Sequence, residues 1–140
     1  MKYDKYIVRV WEHKGEIREA PYKREIVPLL GPERRGVKEM NVNITFIDPY
    51  SGTQYHAHVI SELIYVISGR GEVLIENEKY EIIPDTVFYL PKDVFHQLKN
   101  TGPETLKLLN VFAPGMNREM QKSKIVVNSP PDEADIVTPQ

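Results

Sequence analysis

Of the four histidines in this 140-residue chain, three fall at spacings that suit a metal ion. His56 and His58 are separated by Ala57 alone. On a β-strand, side chains at i and i+2 share a face, about 7 Å apart along the strand. Two imidazoles so placed can converge on one ion. Glu62 follows four residues after His58, just before the apolar run Leu63-Ile64-Tyr65-Val66-Ile67. His96 closes the segment Pro91-Lys92-Asp93-Val94-Phe95-His96, after a second strand-like run. Together His56, His58, Glu62 and His96 form a mixed nitrogen and oxygen donor set for one divalent first-row ion: iron, manganese, nickel, copper or zinc. Burying these groups together without an ion would leave charge and donors uncompensated. His13 has no such company and reads as structural or surface.

The elements that must position these residues read as strands. Asn41-Val42-Asn43-Ile44-Thr45-Phe46-Ile47 alternates with period two, the mark of a strand with one buried face. Further strands are expected at Tyr6–Trp11, Glu25–Leu30, Leu63–Ile67, Glu72–Glu76, Lys79–Ile83, Thr86–Leu90, Phe95–Asn100 and Thr105–Phe112. The dipeptide Asn77-Glu78 reads as a hairpin turn. Strands recurring every 8–12 residues with turn signals between them predict an all-β antiparallel sandwich or barrel. Strand parity turns Glu62, Ile64 and Val66 inward, with Leu98 beside His96, and with Leu106, Leu108, Asn110 and Phe112 on one face. The predicted cavity is therefore mainly apolar, with Asn110 a candidate polar contact. Asn41, Asn43 and Thr45 share a face that the turn before Gly52 leaves unassigned, and solvent exposure is expected for them. Tyr55, Phe88, Tyr89 and Phe95 are read as packing residues. Residues 117–124 can make two helical turns, and Ser129–Glu133 reads as flexible or swapped onto a partner.

Residues 52–71 resemble the first motif of the cupins: Gly, five residues, His-x-His, then Glu and Gly. The matching positions are Gly52, His56, His58, Glu62 and Gly69, with only three residues between Gly52 and His56. The second cupin motif is matched by Pro91, His96 and Asn100. Asp85 and Asp93 stand where that family has glycine, and Asp tolerates left-handed backbone better than most residues. The resemblance implies a double-stranded β-helix, or jelly-roll, over residues 41–115. Residues 1–40 then form an N-terminal strand and loop extension packing on the barrel or a neighbouring subunit, and residues 116–140 a tail with a short helix and a flexible end. It implies the same ligand set, His56, His58, Glu62 and His96, for one divalent metal, and oxygenase, isomerase and decarboxylase as activity classes.

Composition narrows the rest. The length suits one domain with a single core. A net charge of -2 offers no global electrostatic case for nucleic acid or an anionic membrane. The absence of cysteine excludes disulfides and thiolate ligands, which leaves a metal to His and carboxylate. Charges in the first five residues replace the apolar segment of a secretion signal, so a cytoplasmic protein is expected. Arg34, Arg35 and Arg70 read as solvated, although a loop over the barrel mouth would bring Arg34 or Arg35 inward. With no cation assigned to the cavity, a neutral, aromatic or singly anionic small molecule is preferred to one with several phosphates. With few acid or base groups beyond the ligands, an oxygenase is favoured, ahead of a metal-dependent isomerase or decarboxylase, or a non-catalytic sensory module. The strand at Ile7–Trp11 is expected to pair with a second copy in a homodimer.

Overall fold

The structure is a computed structural model that describes residues 1–127 and 130–139. Its strands, in chain order, are β1 (Glu16–Arg18), β2 (Arg24–Leu30), β3 (Asn41–Ile47), β4 (Tyr55–Ala57), β5 (Ser61–Ser68) and β6 (Gly71–Ile75). There follow β7 (Glu78–Ile82), β8 (Val87–Leu90), β9 (His96–Asn100), β10 (Leu106–Ala113) and β11 (Ile125–Val127), with a short helix α1 (Arg118–Gln121) before the last. They form two antiparallel sheets, β1-β2-β3-β10-β5-β8 and β11-β4-β9-β6-β7: the antiparallel barrel that the strand spacing predicted, in the jelly-roll form that the resemblance implied. No helix among the described residues is long and apolar enough to cross a membrane.

The parity argument places the core. On β5, Glu62, Ile64 and Val66 are buried, and on β10 Leu106, Leu108, Asn110 and Phe112 are buried. Ile47, Ile64, Val66, Val73, Ile82, Leu90, Leu98, Leu106 and Leu108 pack as one cluster between the sheets. Each such side chain removed from water contributes roughly 1.5–3 kcal/mol. A second cluster of Val27, Leu29 and Ile44 lies where β2 packs beside β3, so the N-terminal segment supplies strands to the main sheet.

Turn chemistry follows the sequence closely. Asp85 and Asp93 both adopt left-handed backbone with φ of 66°, the conformation glycine would otherwise supply. Gly52 lies so close to β9 that a Cβ there would meet the Leu98 carbonyl oxygen at 2.3 Å. The Asn100 side chain then ties three segments together. Its Nδ2 donates to the carbonyls of Ile47 (3.0 Å), Asp48 (3.1 Å) and Glu104 (2.7 Å), and its Oδ1 accepts from the Gly102 N–H (3.0 Å).

Four features depart from the sequence reading. Residues 6–11 form no strand: two 3-10 turns, Asp4–Tyr6 and Val10–Glu12, occupy the region, and Ile7 and Trp11 are exposed. Their β-branched and aromatic composition favours extension only where a partner strand supplies hydrogen bonds, and none among the described residues pairs with them. The predicted turn moves back one residue, to Glu76-Asn77. The helix shortens to a single turn capped by Asn117, whose side chain accepts from the Met120 N–H at 2.9 Å. Finally, the C-terminal end returns to its own chain. β11 pairs with β4, and Val137 exchanges backbone hydrogen bonds with Asn77 and Lys79. Ser129 lies outside the described residues.

The Asn100 cluster yields a direct test. Asn100→Ala leaves three carbonyls and one N–H without their buried partner and is expected to cost about 2–3 kcal/mol in urea unfolding at neutral pH. A cost below about 0.5 kcal/mol would show that water replaces the side chain there.

Candidate metal centre

The site is assembled from both sheets. His56 on β4 pairs directly with His96 on β9, so the two imidazoles leave neighbouring strands on one face, with ring centroids 4.3 Å apart. His58 follows one residue beyond β4, its ring 4.8 Å from that of His56 and 5.5 Å from that of His96. Glu62, at the start of β5, comes from the opposite sheet and is only 4% exposed. Its Oε1 lies 3.5 Å from His96 Nε2 and 3.6 Å from His58 Nε2.

Backbone contacts set which nitrogens face inward. His56 Nδ1 lies 2.6 Å from the Gln54 carbonyl and His96 Nδ1 lies 2.9 Å from that of Val94. A carbonyl only accepts, so both Nδ1 atoms carry the proton and both Nε2 atoms keep a lone pair. The carboxylate is fixed in the same way. Asn110 Nδ2 donates to Glu62 Oε2 at 3.0 Å, and Thr45 Oγ1 donates to Asn110 Oδ1 at 2.7 Å. Oε1 is thereby left for the imidazoles. This relay sets Asn110 against Glu62, while the open cavity beside His58 is lined without it, and it corrects the expectation for Thr45, which is buried.

The donor set fits a metal. Ligand nitrogens and oxygens bind a first-row ion at about 2.1 Å, which places adjacent donors roughly 3.0–3.4 Å apart. His56 Nε2 and His58 Nε2 are separated by 3.2 Å, and the ligand atoms of the three histidines all lie within 4.8 Å of one another. For His56 and His58, a charged imidazole is disfavoured near neutral pH. Burial, aided by His96 and Lys124, pushes His56 down to about 2. Burial also pushes His58 down to about 4, against the upward pull of Glu62.

A cavity of about 550 Å³ opens onto His58, bounded on one side by Phe112 and Met116. The Phe112 ring stands edge-on to His58, with centroids 5.0 Å apart. Asn41 and Asn43 also line this space rather than solvent. Asn41 is held there because its Nδ2 donates to the Met116 carbonyl at 3.1 Å and its Oδ1 accepts from the Met116 N–H.

The sequence reading missed Lys124. The β11–β4 register sets Ile125 opposite Ala57, so Lys124 stands level with His58, and both side chains line the cavity. Burial, then Arg24 and Arg18, lower Lys124 to about 8, while Glu62 pulls the other way. The β-branched run Ile125-Val126-Val127 is the strand signal that could have found it. Cations also reach the cavity from Arg18 and Arg34 on the N-terminal side, correcting the expectation of a cavity without them.

The histidines predict how metal-free protein responds to acid. Their folded pKa values lie below the unfolded value near 6.5, so the unfolded chain binds more protons between the two. Stability is therefore present above about pH 6.5 and is lost as pH falls, down to about 4 for His58 and about 2 for His56. Each histidine contributes a slope approaching 1.4 kcal/mol per pH unit in that window. Urea unfolding of chelator-treated protein between pH 7.5 and 5 should show this loss, and His56→Gln/His58→Gln should flatten it. Parallel curves for the two proteins would contradict the assignment.

Comparison with known proteins agrees with this geometry. Residues 44–112 match the family model described as the cupin domain. The chain is 33% identical over 86 residues to an uncharacterised protein of Methanocaldococcus jannaschii, a match covering 61% of this chain and 68% of that protein. It is 27% identical over 143 residues to the glucose-6-phosphate isomerase of Thermococcus gammatolerans, covering 88% of this chain and 75% of the other. The polyketide cyclase RemF of Streptomyces resistomycificus shares the fold with a TM-score of 0.68 at 20% identity, over 76% of this chain and 78% of that one. The chain spans about half the length, 51%, of an auxin-binding protein of Nicotiana tabacum that it also matches. With its motif histidines converging inside a jelly-roll barrel and these relatives beside it, the chain belongs to the cupin family.

Proposed function

We propose that this chain is a metal-dependent cupin enzyme that moves a proton between neighbouring carbons of a small hydroxycarbonyl compound. In this reading His56, His58 and His96, through Nε2, and Glu62, through Oε1, hold one divalent ion. When bound, such an ion supplies Lewis acidity to a chelated carbonyl and hydroxyl pair. The observation that carries the reading is Lys124, an amine of lowered pKa on the wall of the cavity that His58 opens into. A fraction of Lys124 is neutral near pH 7.5, so its Nζ can take the proton from the hydroxyl-bearing carbon and return it to the former carbonyl carbon, while the hydroxyl proton passes to the former carbonyl oxygen. The aldehyde and ketone forms exchange, no atom is gained or lost, and no oxidant is consumed. Asn110 and Thr45 hold Glu62 with Oε1 toward the histidines, and Phe112 and Met116 keep water from one side of the cavity. The match to a glucose-6-phosphate isomerase over most of this chain supports the same class.

An oxygenase is the competing reading, favoured by the apolar wall of Phe112 and Met116 beside His58. Its original support, a cavity without acid or base groups, is weakened by Lys124. A homodimer belongs to either reading, since Ile7 and Trp11 expose 60% and 81% of their surface.

Reconstituted protein should isomerise short aldoses or ketoses, or their phosphates, and incorporate solvent deuterium into the product. Lys124→Met should keep its metal and lose at least about a hundredfold in kcat. His58→Ala should lose both metal and turnover. Oxygen consumption without isomerisation, on a panel extended to diketones and catechols, would transfer the assignment to the oxygenase.

A further inference from the structure

The charges around the cavity are not those of the chain as a whole. The protein carries a net charge of -2, yet this one cavity is lined by Arg18, Arg34, Arg118 and Lys124 against only Glu16 and Glu33. One pair is internally matched, since Arg18 Nη2 lies 3.2 Å from Glu16 Oε2. Arg34 and Arg118 have no ion-pair partner among the described residues. They also come from opposite ends of the chain: Arg34 from the loop after β2, Arg118 from the first position of α1. Chance crowding on a single element does not bring them together. Two separate segments are folded over the barrel mouth, the second held by the Asn41–Met116 hydrogen bonds and by β11 on β4.

Like charges facing one partly enclosed space repel, and the repulsion is relieved when an anion sits between them. The cavity's charges already act on one another: beyond burial and the nearby Arg24, Arg18 on the same cavity also disfavours the charged form of Lys124. Arginine is suited to the task, since its planar fork pairs with two oxygens of a carboxylate or phosphate at once. A volume of about 550 Å³ also exceeds what an anion alone needs and lies in the range of small-molecule sites.

We infer that Arg34 and Arg118, with Arg18 lining the same cavity, form a subsite for an anionic oxygen group, phosphate or carboxylate, on a molecule whose other end reaches His58. The inference deepens the proposed function by naming the substrate class, an organic anion, and rests on that reading only for the link to the metal. Binding by the subsite itself needs no metal. This separates the two failures: loss of metal in His56→Ala/His58→Ala tests the centre, whereas anion binding by that same variant tests the subsite.

The experiment is calorimetric titration at low ionic strength with inorganic phosphate and, separately, with malonate, each against a chloride control. Wild-type protein and His56→Ala/His58→Ala should both bind one of the two probes more tightly than chloride. Whichever it is identifies the group as phosphate or carboxylate. Arg34→Gln/Arg118→Gln should weaken that binding at least tenfold, and Arg34→Lys/Arg118→Lys should recover part of it. Both arginines are exposed at the cavity rim, so these variants should keep the wild-type melting temperature. The inference is overturned if neither probe binds more tightly than chloride, or if the folded Gln variant binds as well as wild type.

Discussion

Three imidazoles share one small buried space, with His56 Nε2 and His58 Nε2 3.2 Å apart and neither of those two rings cationic at neutral pH, and the rest of the barrel is arranged around that constraint. Backbone carbonyls hold the Nδ1 protons of His56 and His96, so the Nε2 lone pairs of these two rings are free for an ion. A divalent cation would be held by those lone pairs. The direct pairing of His56 with His96, the close approach of Gly52 to β9 and the anchoring of Asn100 all hold the strands that carry these histidines in register.

The carboxylate arrives from the other sheet, and this makes the centre a junction rather than a surface cluster. Glu62 cannot leave its position without breaking the Asn110 and Thr45 relay, which links β5, β10 and β3 across the sheet. Packing beneath it, from Ile64, Val66 and Leu108, keeps these strands from sliding. The segments outside the barrel do different work. β1, the loop after β2, α1 and Lys124 just before β11 give the cavity its charge and its amine. The barrel thus supplies the donors, while the termini supply the groups that would choose and handle a substrate.

That division explains what was legible beforehand. Strand parity needs only local alternation and one buried face, so β3, β5 and β10 and their inward residues could be read from Asn41–Ile47, Ser61–Ser68 and Leu106–Ala113. The His-x-His spacing, and the Asp residues at left-handed turns, are equally local. Arg18, Arg34, Arg118 and Lys124 were not legible as a group, because nothing in their own neighbourhoods points at a common cavity. Only the tertiary return of both termini brings them there. Thr45 was misread for a related reason: the Asp48–Gly52 turn breaks the period-two count, and its partner Asn110 lies 65 residues away. At Tyr6–Trp11 composition favoured a strand, but a strand also requires a neighbour, and none is present among the described residues.

Elemental analysis of untagged protein, wild type beside His56→Ala/His58→Ala, bears on the centre most directly. About one equivalent of a single transition metal per chain is expected in the wild type, and none in the variant, with both proteins folded. Folded wild-type protein that holds no ion, even after reconstitution with each candidate metal, would contradict a metal centre at His56, His58, Glu62 and His96.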